Sequence, residues 1–394
     1  MNTSPSSLSS NFSGEQYDYI ITGAGCAGLS MLLRMIESGK FSSKRILLVD
    51  KAPKQHHDRT WCFWEKEKGF FEEIVYKQWS TIFFRGIDFS KKSDTAPYQY
   101  KMIRSADFYE HCFSIISRQP NVTVQYGIVE KIENTVDGVL IWLNGVIIKA
   151  AYIFNSILFH QPVLKSNEHY MLQHFRGWVI EAPGATIDVS VATLMDFSVD
   201  QQYGTAFVYV MPFSKTKALV EYTFFSEALL KDEIYEEGLK DYLRYFLKEE
   251  KYAITEKESG VIPMTNYFFR PVNGNIINIG TAGGQTRGSS GYTFQFIQKR
   301  TKHIVEHMLR EGDPFTKKGL PAKRFLFYDS VLLHLLNKKK LGGDIIFTKL
   351  FQKNATPAIF KFLDAETSVM EDIAIIKSLP AFPFSKAALK QILG

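Results

Sequence analysis

The sequence GAGCAG at residues 23–28 constrains the fold more than any other part of this chain. Before it, residues 17–22 form an apolar run that is typical of a buried strand. After it, leucines recur at helical spacing up to Ser38. A second apolar strand, residues 45–49, ends at Asp50. This order of strand, glycine turn, helix and strand predicts a βαβ unit and therefore an α/β protein.

The three glycines of this turn, Gly23, Gly25 and Gly28, have the G-x-G-x-x-G spacing of a dinucleotide-binding loop. The first permits a tight turn, the second permits close approach of a pyrophosphate, and the third permits close packing of helix on strand. Asp50 follows Gly28 by 22 residues, where an acid hydrogen-bonds a ribose hydroxyl. The alternative, a glycine-rich turn without function, leaves Asp50 unexplained, so the sequence predicts dinucleotide binding.

A second glycine-rich segment, INIGTAGGQTRGSSGY, again follows a strand and leads into a helix that reaches about Arg310. A single glycine loop near the N-terminus, followed much later by a second glycine-rich segment, favours FAD over NAD. In FAD-binding proteins of this kind the later segment returns to the first loop and closes over the flavin. We expect the helix to open near Gly291 and to direct its positive N-terminus at the flavin. The residues expected to lie against this end of the cofactor are Gly280, Thr281, Ala282, Gly283 and Gly284.

Changes in composition and in the spacing of apolar residues divide the chain into five segments. They are a serine-rich tail at 1–16 that we expect to be disordered, a first part of the cofactor domain at 17–155, a strand-rich substrate domain at 156–272, a closing cofactor segment at 273–310, and a helical, basic region at 311–394.

The composition indicates which kinds of ligand and which cellular compartment to expect. Aromatic residues make up 14% of the chain, which suits a long apolar ligand or a membrane face; a larger aromatic core is the alternative. Three scattered cysteines and nine histidines without ligand spacing predict neither a disulfide framework nor a metal site. The N-terminal residues lack the regions of a secretory signal, and no apolar run could span a membrane. We therefore expect a cytoplasmic protein.

A single acid, Glu221, interrupts the apolar stretch KALVEYTFFS at residues 217–226. The simple interpretation is that strand alternation turns it outward to water. The alternative is that it lies beside an apolar substrate as a proton donor.

Several stretches, in order along most of the chain, resemble the lycopene cyclase family of flavoproteins. They are HDRTWCFW, QHFRGWVIE, MPFSKTKALVEYT, GVIPM and IGTAGGQTRGSSGYTF. The resemblance implies a Rossmann-like FAD-binding fold of the flavin-monooxygenase type with a sheet-based substrate domain. It also implies conversion of the ψ-ends of lycopene and related acyclic carotenoids into β-rings. The flavin must be reduced although no net redox change occurs, and NAD(P)H is the expected source of electrons.

Members of this family carry an acidic motif of the form Phe-Leu-Glu-Glu-Thr, and the corresponding residues here are Leu219 to Thr223. The first acid is retained as Glu221, but the second is replaced by Tyr222, so the resemblance supports a one-acid mechanism. Protonation of C2 places positive charge at C1, the C5=C6 bond closes the ring, and loss of the C6 proton gives a β-ring. Burial would keep Glu221 protonated, and an anionic reduced flavin would stabilise the cation.

Other site residues follow from the same resemblance. Arg59, beside Asp58, is expected over the flavin, with a surface ion pair as the alternative. Arg104 is expected at the cofactor phosphates, with a solvated helix start as the alternative, and Val129 is expected at the adenine. The residues expected to contact substrate, by cation–π or apolar contact, are Trp61, Trp64, Trp178, Tyr222 and Phe224.

The segment 315–362 holds ten Lys or Arg against two Asp, a net charge of +8. Within it, RFLFYDSVLLHLLNKKK places apolar residues at helical spacing before three lysines. This pattern predicts a basic amphipathic helix lying on the inner face of the cytoplasmic membrane. A core helix with a solvated basic end is the alternative, and no motif indicates nucleic-acid binding.

Two other functions share most of these features. A flavin monooxygenase of a hydrophobic substrate would have the same cofactor loops. The glycine-rich return segment of such enzymes carries Gly-Asp, however, and this chain has Thr281 in place of the acid. A carotenoid-binding flavoprotein without catalysis would have no need of Glu221.

Overall fold

The computed structural model describes residues 11–54, 57–248 and 250–393. The strands are β1 (Asn11–Thr22), β2 (Ile46–Asp50), β3 (Thr60–Glu65), β4 (Lys77–Trp79), β5 (Thr81–Gly86), β6 (Phe89–Asp94), β7 (Gln99–Arg104), β8 (Val122–Tyr126), β9 (Val129–Thr135), β10 (Gly138–Leu143), β11 (Val146–Asn155), β12 (Tyr170–Glu181), β13 (Val191–Asp196), β14 (Thr205–Pro212), β15 (Lys217–Ser226), β16 (Ala253–Thr265), β17 (Val272–Asn273) and β18 (Ile276–Asn278).

The α-helices are α1 (Cys26–Glu37), α2 (Ser105–Ile116), α3 (Asp232–Leu247), α4 (Phe294–Glu311), α5 (Lys323–Asn337), α6 (Gly343–Lys353), α7 (Thr356–Leu363), α8 (Val369–Ile376) and α9 (Ala381–Leu393). Short 3₁₀ turns cover Glu72–Ile74 and Gly280–Gly283.

The first sheet is the α/β unit that the glycine turn predicts. Its order is β17-β18-β11-β1-β2-β8, and β1 lies parallel to both β11 and β2. All five residues of β2 are buried, because α1 and α4 cover one face and the β9–β10 hairpin lies towards the other. A strand buried on both faces reads as a continuous apolar run, as this one does. β1 begins at Asn11, within the segment predicted to be disordered, and pairs there with β11.

The second sheet forms the platform of the substrate region. Its order is β16-β12-β15-β14-β13-β5-β6, antiparallel except where β13 runs parallel to β5. One face of this sheet packs on α3 and the other on the C-terminal helices. β5 and β6 come from within residues 17–155, so the segment assigned to the cofactor domain contributes strands to both sheets. The parallel pairing with β5 covers what would otherwise be a free edge at β13.

A three-stranded sheet, β3-β7-β4, lies between these two units and carries the HDRTWCFW stretch. Alternation along β3 sends Phe63 into the core of the cofactor unit and Trp64 into the core of the substrate unit. β3 therefore joins the two cores.

The basic helix predicted at the membrane is α5, and most of its apolar side chains are buried or partly buried, with Leu326 exposed. It packs on α9 and on β16, while Lys338, Lys339 and Lys340 follow its end and are exposed. α5 is thus a core helix with a solvated basic end, the alternative interpretation of the sequence. Among the helices of the described chain, we find none with the length and apolarity needed to cross a bilayer.

Candidate active site

The glycine turn between β1 and α1 has the geometry of a phosphate cradle. Gly23 has φ +95°, a conformation that disfavours side chains, and a Cβ on Gly28 would collide with the Gly23 carbonyl oxygen. A Cβ on Gly25, by contrast, would meet no atom within 4 Å. Space is therefore open beside the N-terminus of α1, whose first turn holds no acid and whose N-cap has no side-chain partner. An anionic pyrophosphate fits these features.

Asp50 lies against this turn at the end of β2. Its Oδ2 accepts a hydrogen bond from the Ala24 N–H at 2.6 Å, and its Oδ1 lies 3.1 Å from Lys54 Nζ. The acid thus fixes the turn through the backbone. Its assignment to a ribose hydroxyl stays a prediction.

The second glycine-rich segment returns to the same place. Gly280 has φ +62°, and a Cβ there would lie 2.9 Å from Ala27 Cβ at the start of α1. The 3₁₀ turn Gly280–Gly283 follows, with Ala282 and Gly283 buried. α4 begins at Phe294, three residues after the expected Gly291, which sits in a left-handed turn with φ +70°. The two glycine segments therefore meet at the N-terminus of α1, as expected of a cofactor site.

A cavity of about 240 Å³ lies between this return segment and the second sheet. Most of its lining is apolar or aromatic. The lining includes Arg59, Thr60, Trp61, Cys62, Tyr100, Phe175, Tyr209, Leu219, Glu221, Thr281 and Tyr292.

Glu221 faces this cavity from the middle of β15. Alternation puts Leu219, Glu221 and Thr223 on the cavity side and Val220 and Tyr222 on the α3 side. The Thr223 hydroxyl donates a hydrogen bond to Glu221 Oε1 at 2.9 Å. Alternation does turn this acid away from the α3 core, and on the other face it lies partly buried in the lining of a cavity.

A second carboxylate, Glu258 of β16, meets Glu221 across the intervening strand β12. Gly177 of β12 pairs with Glu221 on one side and with Glu258 on the other. A Cβ on Gly177 would lie 2.9 Å from Glu258 Cγ and 3.1 Å from Leu219 Cδ1, so the missing side chain leaves room for Glu258 beside β15. Glu258 Oε2 accepts a hydrogen bond from Thr60 Oγ1 at 2.7 Å and lies 3.3 Å from His57 Nε2.

The electrostatics of this group favour a neutral Glu221. Burial raises its pKa well above the ordinary value, and the charge of Glu258 and a shared hydrogen bond raise it further, against an opposing hydrogen bond from Thr223. Burial lowers the pKa of His57, but the hydrogen bond and charge of Glu258, with Glu256, outweigh burial and leave that pKa raised. The raised pKa favours the protonated form of Glu221, which is the state a proton donor requires.

Sequence reasoning missed Glu258, although it lies two residues before the GVIPM stretch. It occupies a strand whose neighbouring residues alternate between exposed and partly buried, so nothing local marks it as buried. Its role comes from the register of β16 on β12, a contact between residues far apart in the chain. A buried carboxylate with no adjacent sequence signal is visible only in three dimensions.

The structure brings Trp61 to the cavity but not the other expected substrate contacts. Trp178, Tyr222 and Phe224 lie on the opposite face of the sheet, packed with α3, because they sit one strand position away from the cavity-facing residues. Trp64 is 2% exposed and stacks on Phe360, outside the cavity lining.

The predicted cofactor arginines have partners within the protein. Arg59 lines the cavity and also forms an exposed ion pair with Asp58 at 3.1 Å, which is the alternative interpretation of that pair. Arg104 forms two 2.8 Å hydrogen bonds with Asp107, which engages its guanidinium locally at the start of α2. Val129 begins β9 and is buried in the core of the first sheet. Contacts of these residues with a cofactor stay predictions.

Comparison with known families gives one match over most of the chain. The family model described as lycopene cyclase protein matches residues 18–389. A curated lycopene beta-cyclase from Pantoea ananas is 28% identical over 262 residues, which make up 62% of this chain and 63% of that protein. The match thus spans less than two thirds of that relative's length.

Solved structures with the same architecture are flavoproteins of diverse activity. A geranylgeranyl bacteriochlorophyll reductase-like protein from Thermoplasma acidophilum has a TM-score of 0.57 at 11% identity, covering 95% of this chain and 98% of that one. The p-nitrophenol 4-monooxygenase of Pseudomonas putida has 0.55 at 13%, covering 96% and 99%. HpxO of Klebsiella pneumoniae, complexed with FAD, has 0.56 at 16%, covering 92% and 99%. These neighbours confirm the predicted fold class.

Proposed function

Because the chain belongs to the lycopene cyclase family, we propose that it is a lycopene β-cyclase, an isomerase of the intramolecular lyase type. It converts the ψ-ends of lycopene to β-rings, giving γ-carotene and β-carotene in carotenoid biosynthesis. The observation that carries this proposal is Glu221, a carboxyl group of raised pKa that faces a largely apolar cavity between the substrate sheet and the return segment.

The residues of the cavity suit acid–base chemistry on a hydrocarbon. Glu221 donates its proton to C2 of the ψ-end, and ring closure moves the positive charge to C5. The C6 proton then passes to a base, for which the Glu221 carboxylate left by the first step is the candidate. The developing cation is stabilised by the faces of aromatic residues in the lining, which attract cations most strongly where water is excluded. The candidates are Trp61, Tyr100, Phe175, Tyr209 and Tyr292.

FAD is the proposed cofactor, and the two glycine segments fit it. Gly25 leaves space for the pyrophosphate at the N-terminus of α1, Asp50 lies beside the loop, and Thr281 lies where the return segment reaches the cavity. When bound in its reduced, anionic form, FAD supplies negative charge that stabilises a carbocation without net electron transfer. We propose NAD(P)H as the source of the electrons that keep it reduced.

The deciding experiment uses cells that accumulate lycopene and express either the wild-type chain or a variant. Glu221→Gln keeps the shape of the side chain and removes the acid, while Glu181→Gln alters an exposed glutamate at the end of β12 as a matched control. We expect pigment of unchanged mass and shorter-wavelength absorption from wild type and Glu181→Gln. In cells that express Glu221→Gln, we expect the amount of this shorter-wavelength pigment to be at least a hundredfold lower.

Other outcomes select other functions. A gain of one oxygen in the pigment indicates a monooxygenase, an activity found among proteins of the same fold. Lycopene that co-purifies unchanged with the protein indicates a carotenoid-binding flavoprotein. Full cyclisation by Glu221→Gln retains the function and rejects Glu221 as the acid.

We further propose that the protein meets the membrane through α8 and α9 rather than through α5. Large apolar side chains are exposed on both helices, among them Met370 at 77% on α8 and Phe382 at 80% on α9. α9 contains two lysines and no acidic residue. Exposed apolar groups beside lysines suit the surface of an anionic bilayer.

A largely apolar cavity of about 390 Å³ lies beneath this surface, lined by residues of α5, α6, α7, α8 and α9. A C40 hydrocarbon is too long for the 240 Å³ active-site cavity alone, and it dissolves in bilayers rather than in water. The helical cavity offers the rest of the hydrocarbon an apolar environment next to the proposed membrane face.

Sedimentation with vesicles containing phosphatidylglycerol tests this surface. We expect the double variant Phe382→Ser/Leu389→Ser to bind at least fivefold less than wild type. Val136→Ser, which removes an exposed apolar residue from the β9–β10 turn, serves as the control and should bind normally. Equal binding by all three proteins would place the membrane contact elsewhere or deny it.

A further inference from the structure

Glu221 belongs to a connected group of three ionisable side chains that joins the cavity to the loop before β3. Glu221 and Glu258 meet over Gly177, and Glu258 Oε2 lies 3.3 Å from His57 Nε2. His57 is held in turn, because its Nδ1 lies 3.2 Å from Ser105 Oγ at the start of α2. The hydrogen bond from Thr60 to Glu258 joins residues 198 apart in the chain, so the tertiary fold assembles the group.

The surroundings of the two carboxylates differ. Glu258 has a side chain only 2% exposed, and its Oε2 takes a hydrogen bond from Thr60 and contacts His57. Its Oε1 is also buried and has no N–H or other O–H donor within the described chain. Glu221 accepts a hydrogen bond from the hydroxyl of Thr223, and the neighbouring Glu258 raises its pKa. The partners of Glu258 favour an anion, and Glu221 with its proton is the donor that Glu258 Oε1 lacks.

We propose that Glu258, held by His57 and Thr60, is a positioning residue that keeps the proton on Glu221 and aims the acid at the substrate. The charge assignment is a neutral Glu221, an anionic Glu258 and a cationic His57. This proposal rests on the proposed function for its place in a reaction, but the charge assignment stands on the geometry of the apoprotein.

The assignment also accounts for Tyr222. Two acids in adjacent positions of one strand point to opposite faces of the sheet, and Tyr222 indeed faces α3. A second carboxylate reaches the cavity side only from a neighbouring strand in register, which is where Glu258 lies. The second acid of this site is therefore supplied by β16.

Other titratable groups near the pair do not compete for the proton. Burial raises the pKa of Cys62 on β3, of Tyr209 on β14 and of Tyr292 in the return segment, so all three are uncharged at neutral pH. The charged groups acting on His57 besides Glu258 are Glu256, which raises its pKa, and Arg104, which lowers it. Lys257 lies over the Trp178 ring on the α3 side and pairs with Glu236.

Infrared spectroscopy of the protein without carotenoid tests the charge assignment directly. The carbonyl stretch of a protonated carboxylic acid is assigned to Glu221 by its loss in Glu221→Gln, and its intensity is followed as pH rises. In Glu258→Gln, which removes the neighbouring charge, we expect the midpoint of this titration to fall by about one to two pH units. Glu181→Gln should titrate like wild type. An unchanged midpoint in Glu258→Gln, or no such band in wild type at neutral pH, would overturn the proposal.

Gly177→Ala provides a second variant that retains both acids. Its Cβ lies where Glu258 Cγ packs, so it separates the carboxylates, and the midpoint should again fall, by less than in Glu258→Gln. An unchanged midpoint in a folded Gly177→Ala protein counts against the pairing.

Cyclisation assays separate this proposal from the proposed function. We expect Glu258→Gln to lose at least tenfold in rate at pH 8 and to regain most of it at pH 6, as a lower pKa on Glu221 demands. If wild type forms no cyclic product while the infrared midpoint shifts as expected, the cyclase function fails and the carboxyl pair stands. If wild type cyclises lycopene and the midpoint does not move, only the role of Glu258 fails.

Discussion

At the scale of single residues, the site depends on a partly buried acid that holds its proton more tightly in the folded state than in the unfolded chain. Burial and the neighbouring Glu258 both oppose ionisation of Glu221. A raised pKa contributes stability that is fully present below the unfolded value, 4.5, and that is lost as pH rises towards the folded value. The acid needed for chemistry thus costs about 1.4 kcal/mol of stability for each pH unit in this window.

Replacing this acid with its amide should therefore stabilise the protein at high pH. Glu221→Gln and wild type should unfold at similar temperatures near pH 4, and the variant should unfold at the higher temperature at pH 8. The amide also donates a hydrogen bond to Glu258 without titrating. Thermal unfolding across this pH range measures the difference, and a gap that narrows as pH rises would contradict the assignment of a raised pKa.

Residues in local motifs could be predicted from the sequence, whereas residues placed by strand register could not. The glycines of residues 23–28 and Asp50 lie in one βαβ unit, so their spacing alone predicts their proximity. A family resemblance is what predicts the role of Glu221, because alternation does not say what its face of the sheet meets. Glu258 lies at the site because of the register of β16 on β12. Trp178 lies outside the site because its position on β12 places it on the α3 side of the sheet.

At the scale of elements, the junction of β1 and α1 separates a structural glycine from a binding glycine. Gly28 contacts the backbone of Gly23, while Gly25 faces open space with φ −89°, a conformation open to any residue. The same helix thus packs through one glycine and exposes a surface through the other.

Two substitutions should show this separation. Gly25→Val should fold with a melting temperature near that of wild-type apoprotein, yet bind FAD at least a hundredfold more weakly, because its side chain fills the space left for the pyrophosphate. Gly28→Ala should lose about 1–3 kcal/mol of stability through overpacking before any cofactor is added. Calorimetry and flavin fluorescence titration measure both quantities. Normal FAD affinity in Gly25→Val would move the pyrophosphate away from this turn.

The helical elements show where sequence periodicity misleads. α5 has the apolar spacing and terminal lysines of a surface helix, but its apolar face is covered by α9 and β16. α9 is short and carries fewer charges, yet it exposes Phe382, Leu389 and Ile392. A periodic pattern predicts a helix with one apolar face. What covers that face depends on tertiary packing, which lies outside the pattern.

At the scale of the whole molecule, one buried ion pair ties the cofactor return segment to the C-terminal helices. Arg287 Nε donates to Asp329 Oδ1 at 2.8 Å, and both side chains are at most 5% exposed. The pair joins the segment that contacts α1 to α5, and through α5 to the proposed membrane face.

Removing one member of this pair should destabilise the protein, because the other charge is left buried. Arg287→Met should lose about 3–5 kcal/mol of unfolding free energy. The double variant Arg287→Met/Asp329→Leu should recover most of that loss, since neither charge remains. Urea denaturation of the two proteins and wild type measures the pattern. A double variant as unstable as the single one would show that packing, not charge, dominates there.

The interleaving of the two sheets has a consequence for how the chain is made on the ribosome. β5 and β6 emerge early, but β5 pairs with the later strand β13, and β18 completes the first sheet only after the whole second sheet has been synthesised. Neither sheet is therefore complete when its first strands leave the exit tunnel. Early strands with unpaired edges are the parts of a nascent chain that need protection. The architecture that places the acid between two lobes thus makes completion of the fold depend on one late step, the synthesis of β18 and of the glycine-rich return segment that follows it.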